Sequence, residues 1–180
     1  MHRLPLLTLL RQHTPADTHE RAMTEATIAF VEKHPDCFER SLLIGHVTGS
    51  AFIVSPDYAQ MLLIHHRKLD RWLQPGGHAD GDPDVAAVAL REAQEETGLT
   101  QLQFASQQIF DVDVHTIPAR GDVPEHLHYD VRFLFVSNTR EKFGFSTEIK
   151  NIRWFSLDEA DFYTNDSAFS RIRSKIYAKL

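Results

Sequence analysis

Along the chain the spacing of apolar residues switches between a helical and a strand period, and each switch marks an element. The first 40 residues read as helical. Pro5 suits a first turn, and Leu6, Leu7, Leu9 and Leu10 can pack. Thr18 to Lys33 then sets Ala22, Ala26, Ile28, Ala29 and Phe30 along one stripe, until His34 and Pro35 stop it. From Leu42 the period becomes strand-like: LLIGHVTGSAFIVS and QMLLIHH, joined through Pro56 and Asp57, predict a hairpin. RKLDRWLQPGG reads as a loop into a helix from Pro83 to Thr97. Further strands follow in QFASQQIFDVDVHTI, HLHYDVRFLFVSN and IKNIRWFSL, the last running into an acidic turn at Leu157 to Ala160. Phe169, Ile172, Ile176 and Tyr177 place a final helix over Ser167 to Leu180. Helices flanking a mixed sheet predict an α+β fold of the α/β/α sandwich type. Residues 1–40 form an N-terminal helical extension to a main domain over 41–180.

Composition narrows the partners. At 180 residues, 42% hydrophobic and 24% charged, the chain is an ordinary globular one. Its net charge of -6 argues against a nucleic-acid duplex or an anionic membrane as partner, because phosphate contacts need a basic surface. A small-molecule phosphate substrate would therefore need a cation beside it. Cys37 is the single cysteine, which excludes an intrachain disulfide and a zinc ribbon and points to a reducing cytoplasm. No apolar run approaches the roughly 20 residues that span a bilayer. MHRLPLLTLLRQH is not read as a signal peptide, since TPAD follows where a small-residue cleavage site would stand.

The helix after the loop concentrates acids. Asp82 suits the N-cap, Pro83 the first helical position and Gly98 the position just past the end. Ala86, Leu90, Ala93 and Thr97 form a narrow stripe that would sit against a sheet, leaving Glu92, Glu95 and Glu96 aimed outward. Exposed glutamates are common on helices. Here, though, Glu92 and Glu96 repel at i, i+4 near a helix C-terminus, with only Arg91 as a nearby cation in sequence. A hard divalent ion, which takes oxygen ligands, would remove that cost.

Gly77 followed by REAQEETGL over Arg91 to Leu99 resembles the Nudix box: Gly, five residues, Glu, seven residues, then Arg-Glu-apolar-x-Glu-Glu-x-Gly-apolar. Pro75 to Gly77 resembles its usual lead-in, and the likeness in elements runs from Leu42 to Phe162. One position departs: the box glutamate is Pro83, with Asp82 before it and Asp80 two residues earlier, and Asp82 is expected to take over while capping the helix. The resemblance implies that Glu92, Glu95 and Glu96 bind Mg2+ or Mn2+ and supply the base, with Arg91 orienting them. A backbone carbonyl of Gly76 or Gly77 would add a ligand, and Glu148, six residues before Trp154, would complete the site from a loop. It implies a catalytic domain that hydrolyses a phosphoanhydride in a nucleoside-diphosphate-linked or related small molecule, a pyrophosphohydrolase. Two alternatives stand beside it: a nucleotide-binding regulatory module without hydrolysis, and an isoprenoid-diphosphate isomerase, to which Cys37 in the extension gives little help. The N-terminal helices are candidates for a lid or a homodimer interface.

HLHYDVRFLF carries a second constellation. His126, His128, Asp130 and Arg132 alternate with Leu127, Tyr129, Val131, Phe133 and Phe135, so one strand face is core and the other polar. With His78, this face is the candidate substrate-binding surface. HxHxD suits a transition metal, and it equally suits a phosphate or a base with Arg132 as anion clamp. Seven of the eleven histidines, at 46, 65, 66, 78, 115, 126 and 128, lie in strands or loops that could border one cleft. Trp72 and Trp154 read as packing residues. RKLDRWLQPGG does not resemble the coenzyme A motif of the family, and the residues name no particular compound.

Overall fold

Two helices, α1 (Leu4–Gln12) and α2 (Thr18–Lys33), open the chain in the computed structural model, which describes residues 2–144, 146–164 and 168–179. Pro5 lies in the first turn of α1. The Asp17 carboxylate caps α2 by accepting the Glu20 N–H at 2.7 Å. The expected packing stripe of α2 needs correction: Ala22, Ala26 and Ala29 are exposed, and Glu20, Thr24, Thr27, Phe30 and Val31 are buried. Thr24 and Thr27 enter the interior without an orphan donor, since each hydroxyl donates to the carbonyl four residues back at 2.8 Å. The alanines serve the solvent face as good helix formers. Phe30 stacks on Tyr129 at 3.9 Å, and Leu6, Leu10, Phe30 and Val31 share one core with Val47, Val85, Val131 and Phe133.

Strands β1 (Gly45–Val54) and β2 (Gln60–His66) form the expected hairpin. β1 is buried throughout because both its edges are paired and both its faces are covered. One edge runs parallel to β7 (His126–Val136), in register from Gly45 opposite Leu127 to Val54 opposite Val136. The other is divided: Ile53 and Val54 pair with β2, whereas Thr48 to Ser50 pair with β4 (Gly76–His78). Between these lies β3 (Arg71–Leu73), which pairs with β2, so two short strands stand where the sequence suggests a loop. Three residues are too few to display a period. Pro75, with no N–H to offer a ladder, occupies the point where the chain leaves β2 for β1, and its carbonyl accepts the Ala51 N–H at 2.9 Å.

β5 (Gln103–Phe104) and β6 (Asp111–Ile117) line the far edge of β7, and β8 (Ile149–Ser156) covers β2. The acidic stretch from Leu157 is a helix, α4 (Leu157–Thr164), rather than a turn. α5 (Phe169–Tyr177) follows, while the ends expected at Ser167 and Leu180 lie outside the described residues. Phe169, Ile172 and Ile176 of α5 pack with Phe52, Val54, Leu134 and Phe155 in a second core. Alternate residues of β1 thus feed opposite cores, with helices on both sides of a mixed sheet, as the α/β/α reading expects.

Helix α3 (Val85–Thr97) positions the acids. Its N-cap is Asp84, whose carboxylate accepts the Ala87 N–H at 3.1 Å, and not Asp82. Asp82 instead accepts the Asp84 N–H at 2.9 Å, a turn that holds Pro83 outside the helix. The helix therefore starts two residues later than the sequence suggests, at Val85. Gly98, with φ of 72°, ends α3 as expected. The face of α3 on the sheet is Val85, Val88, Ala89, Ala93 and Thr97, with Ala86 and Leu90 only half-buried. Gly49 of β1 sets this roll: a Cβ there would lie 2.8 Å from the Val85 carbonyl oxygen and 3.1 Å from the Ala89 nitrogen. The helix backbone rests on bare strand, which turns Glu92 and Glu96 inward. Asp84→Ala is expected to cost about 1 kcal/mol, read as a lower urea midpoint, whereas an unchanged midpoint would remove Asp84 as the cap.

Candidate active site

The acids of α3 meet the backbone of β4. Glu96 Oε2 accepts the Gly76 N–H at 3.0 Å. Glu92 lies against Gly77, where a Cβ would come within 2.5 Å of the Glu92 carboxyl carbon, so a side chain at 77 would evict it. Arg91 Nη2 donates to Glu92 Oε1 at 2.9 Å and to the His78 carbonyl at 3.2 Å, tying α3 to β4. Glu95 alone turns to solvent, its side chain 63% exposed with Oε1 3.9 Å from Arg91 Nε. All three acids were expected outward; the roll of α3 on Gly49 accounts for the difference. Burial pushes the Glu96 carboxyl up to about 7; Glu92, Glu148 and Glu95 add to the rise, against the Gly76 N–H. Glu148 is exposed and engaged with Lys68 Nζ at 2.9 Å, which holds its pKa below the ordinary carboxylate value. Asp80 pairs with Arg40, Nε to Oδ1 at 2.5 Å, and so anchors the segment before β1 to the loop before α3.

The histidines gather at the other side of β4. His46, Thr48 and Ser50 of β1 alternate with Gly49, and so project on the face opposite α3. The register sets His128 beside His46 and His78 beside Thr48. Ring centroids of His46 and His78, and of His46 and His128, are 4.9 Å apart, and those of His78 and His128 5.1 Å. His126 lies 5.0 Å from His46, with Nδ1 2.9 Å from the Pro124 carbonyl. His115 lies 5.6 Å from His128, with Nδ1 on Asp113 at 3.0 Å. Both ring nitrogens of His46 and Nε2 of His128 are buried without a hydrogen-bond partner. Such orphans cost about 1–3 kcal/mol each. Burial, with the neighbouring imidazoles, holds His46 down at about 4 and His128 at about 2, so both rings are neutral at neutral pH. Burial and Arg40 lower His78 as well. His65 and His66 stand apart on β2, where His65 stacks on Trp72.

Further along the same face the polar groups are paired. Asp130 accepts from the hydroxyls of Thr48 and Ser50 at 2.9 and 2.7 Å. Arg132 donates to Asp130, Asp111 and Asp113 at 2.8, 3.2 and 3.1 Å, its side chain only 3% exposed. The anion-clamp reading of Arg132 is therefore corrected: its donors face three carboxylates inside the protein, and Asp130 is committed to the same network. Asp111 further binds Arg171 Nε at 2.9 Å and Lys175 Nζ at 2.8 Å, and Lys175 also pairs with buried Glu20. Nothing in the local sequence announces this, because the partners lie on α2, β6, β7 and α5. His46 and His115 were visible only as members of the histidine set. Trp72 packs edge-on against Phe155, and Trp154 packs against the first core. Cys37 is buried in that core, and burial raises its thiol to about 11, far from a catalytic acid.

The NUDIX domain profile matches residues 46–180. The chain is 34% identical over 87 residues to the RNA pyrophosphohydrolase of Acidiphilium cryptum, covering 48% of this chain and 42% of that protein. It is 33% identical over 119 residues to the CMP-5'-(N-acetyl-N-hydroxy-3-aminopropyl)phosphonate hydrolase of Streptomyces rubellomurinus, covering 62% and 53%. The chain thus spans about half the length of the curated relatives it matches. Among solved structures, a binary complex of the Ap4A hydrolase of C. elegans superposes with a TM-score of 0.59 at 20% identity, over 73% of this chain and 95% of that one, a likeness of fold. With the profile covering most of its length and the box acids seated on Gly76 and Gly77, the chain belongs to the NUDIX domain family.

Proposed function

We propose that this protein hydrolyses a phosphoanhydride bond in a nucleoside-diphosphate-linked or related small molecule, with Mg2+ or Mn2+. The observation that carries the reading is the seating of Glu92 and Glu96 on the glycine backbone of β4, with Arg91 bridging helix and strand. The arrangement fits a hard divalent cation: like charges are held together on a cradle that a Cβ would fill, and burial, with the neighbouring acids, raises the pKa of Glu96 to about 7. Glu92 and Glu96 would hold the ion, joined by Glu95 from the solvent side. When bound, such an ion neutralises diphosphate charge and makes a water nucleophilic at neutral pH. Arg91 fixes Glu92, and a carboxylate of this set would accept the proton of the attacking water.

The names of the two curated relatives, one a pyrophosphohydrolase and one a hydrolase of a CMP-linked phosphonate, support cleavage next to phosphorus. The net charge of -6 favours a small phosphate compound over a nucleic-acid duplex as substrate. A screen of nucleoside diphosphate compounds with Mg2+ and with Mn2+, read as phosphate or nucleotide release, is expected to find a substrate whose turnover Glu95→Gln removes. Tight nucleotide binding with no product under either ion would turn the reading toward a nucleotide-sensing module.

A further inference from the structure

We propose that His46, His78 and His128 form a second metal site, separate from the α3 carboxylates, that takes a borderline transition ion of the Zn2+ class rather than Mg2+. Each ligand comes from a different strand, β1, β4 and β7, so the site is a product of the sheet register and not of a local motif. One donor nitrogen from each ring lies within 4.8 Å of the others. A tetrahedral ion with bonds of about 2.0–2.1 Å needs nitrogens about 3.4 Å apart, so binding requires the three rings to close on the ion.

The burial is what separates this cluster from histidines that merely fill space. His46 is 3% exposed, and neither of its ring nitrogens makes a well-formed hydrogen bond, although the Leu42 backbone lies near the ring. His128 Nε2 is likewise buried and alone. Yet one turn of the pleat away, in the same layer, Thr48, Ser50, Asp130 and Arg132 are paired. Of the four buried side-chain nitrogens without a partner among the described residues, three belong to the converging imidazoles and the fourth is Trp154 Nε1, elsewhere in the fold. An all-nitrogen shell suits Zn2+, Co2+ or Ni2+ and suits Mg2+ poorly. The neighbours fit as well. The contact between His126 Nδ1 and the Pro124 carbonyl, and that between His115 and Asp113, fix two flanking rings that wall the cluster without being among its three ligands. Three protein nitrogens leave one position of a tetrahedral shell for water or a substrate oxygen.

The test uses the full chain stripped with a chelator, then titrated with Co2+ and Zn2+. One Co2+ per chain is expected, with the visible absorption of a low-coordinate nitrogen site, competed away by Zn2+ and not by a large excess of Mg2+. The signal is expected to survive Glu92→Gln with Glu95→Gln and to disappear in His46→Leu and in His128→Leu, each checked for fold by circular dichroism. If the leucine variants do not fold, the wild-type protein still decides: Zn2+ is expected to shift the imidazole proton resonances of the buried histidines. Absence of stoichiometric Co2+ binding would overturn the proposal. So would binding that the glutamine variants abolish and the leucine variants keep, which would put the ion on the carboxylates.

Discussion

Glu96→Gln is expected to lower Mg2+-supported turnover by about three orders of magnitude and, at pH 8 without metal, to raise the thermal midpoint. The two effects share one cause. Glu96 is drawn under α3 onto the Gly76 N–H, a bond that a glutamine oxygen can still accept, while burial and the neighbouring acids resist its charge. Its folded pKa of about 7 lies above the ordinary value of 4.5, so between these the folded chain binds more protons than the unfolded one. Stability from this group is therefore full below pH 4.5 and is lost as pH rises through 7. Gln removes that loss along with the chemistry. Steady-state rates and calorimetry on the same preparation check both, and turnover within tenfold of the parent would remove Glu96 from the catalytic set.

Asp111→Ala is expected to cost about 3–5 kcal/mol, a fall of roughly 10 °C in thermal midpoint, because it strands charges inside the protein. Arg132, Arg171 and Lys175 all reach this one carboxylate. Burial alone would raise its pKa; the bond to Arg171 and the charges of Arg132 and Lys175 overcome that and bring it down to about 2. The sign is opposite to that of Glu96. Here the folded chain binds fewer protons between pH 2 and the ordinary 3.8, so the stability is present above 3.8 and drains away as pH falls toward 2. Acid unfolding of the wild type is expected to steepen in that window and to flatten in the variant. A midpoint for Asp111→Ala within a degree or two of the parent would mean that the network contributes nothing net.

Long elements with a clear period were legible in the sequence. α2 spans Thr18–Lys33 as its period and the His34-Pro35 stop predict, and the hairpin of β1 and β2 follows from two apolar runs about a proline turn. The box acids were legible because Gly77 and REAQEETGL resemble the Nudix box, whereas the helix period alone aimed all three acids outward. What escaped depended on partners far along the chain. β3 and β4 exist only because β2 and β1 offer edges to them. The alanines of α2 read as a packing stripe, but size was no guide once Glu20 found Lys175 across 155 residues. Asp130 and Arg132 looked like a binding face because alternation gives the side of a strand and not what covers that side. The convergence of His46 with His78 and His128 needed three strands in register before it existed at all.

The divided edge of β1 has a consequence for how this molecule tolerates change. The strand that fixes the glycine cradle under Glu92 and Glu96 is the same one that closes the hairpin at Ile53 and Val54, and its ten-residue match to β7 leaves it no room to slide. Length variation at the tip around Pro56 to Ala59 is absorbed outside the ladder, where the chain already turns back. A single residue added at Gln74 or Pro75 would instead shift β4 by one step, exchanging the faces of Gly77 and His78 and uncoupling the acids and the imidazoles in one stroke. The short crossing between β3 and β4, rather than the box helix itself, is where the spacing of both groups is kept.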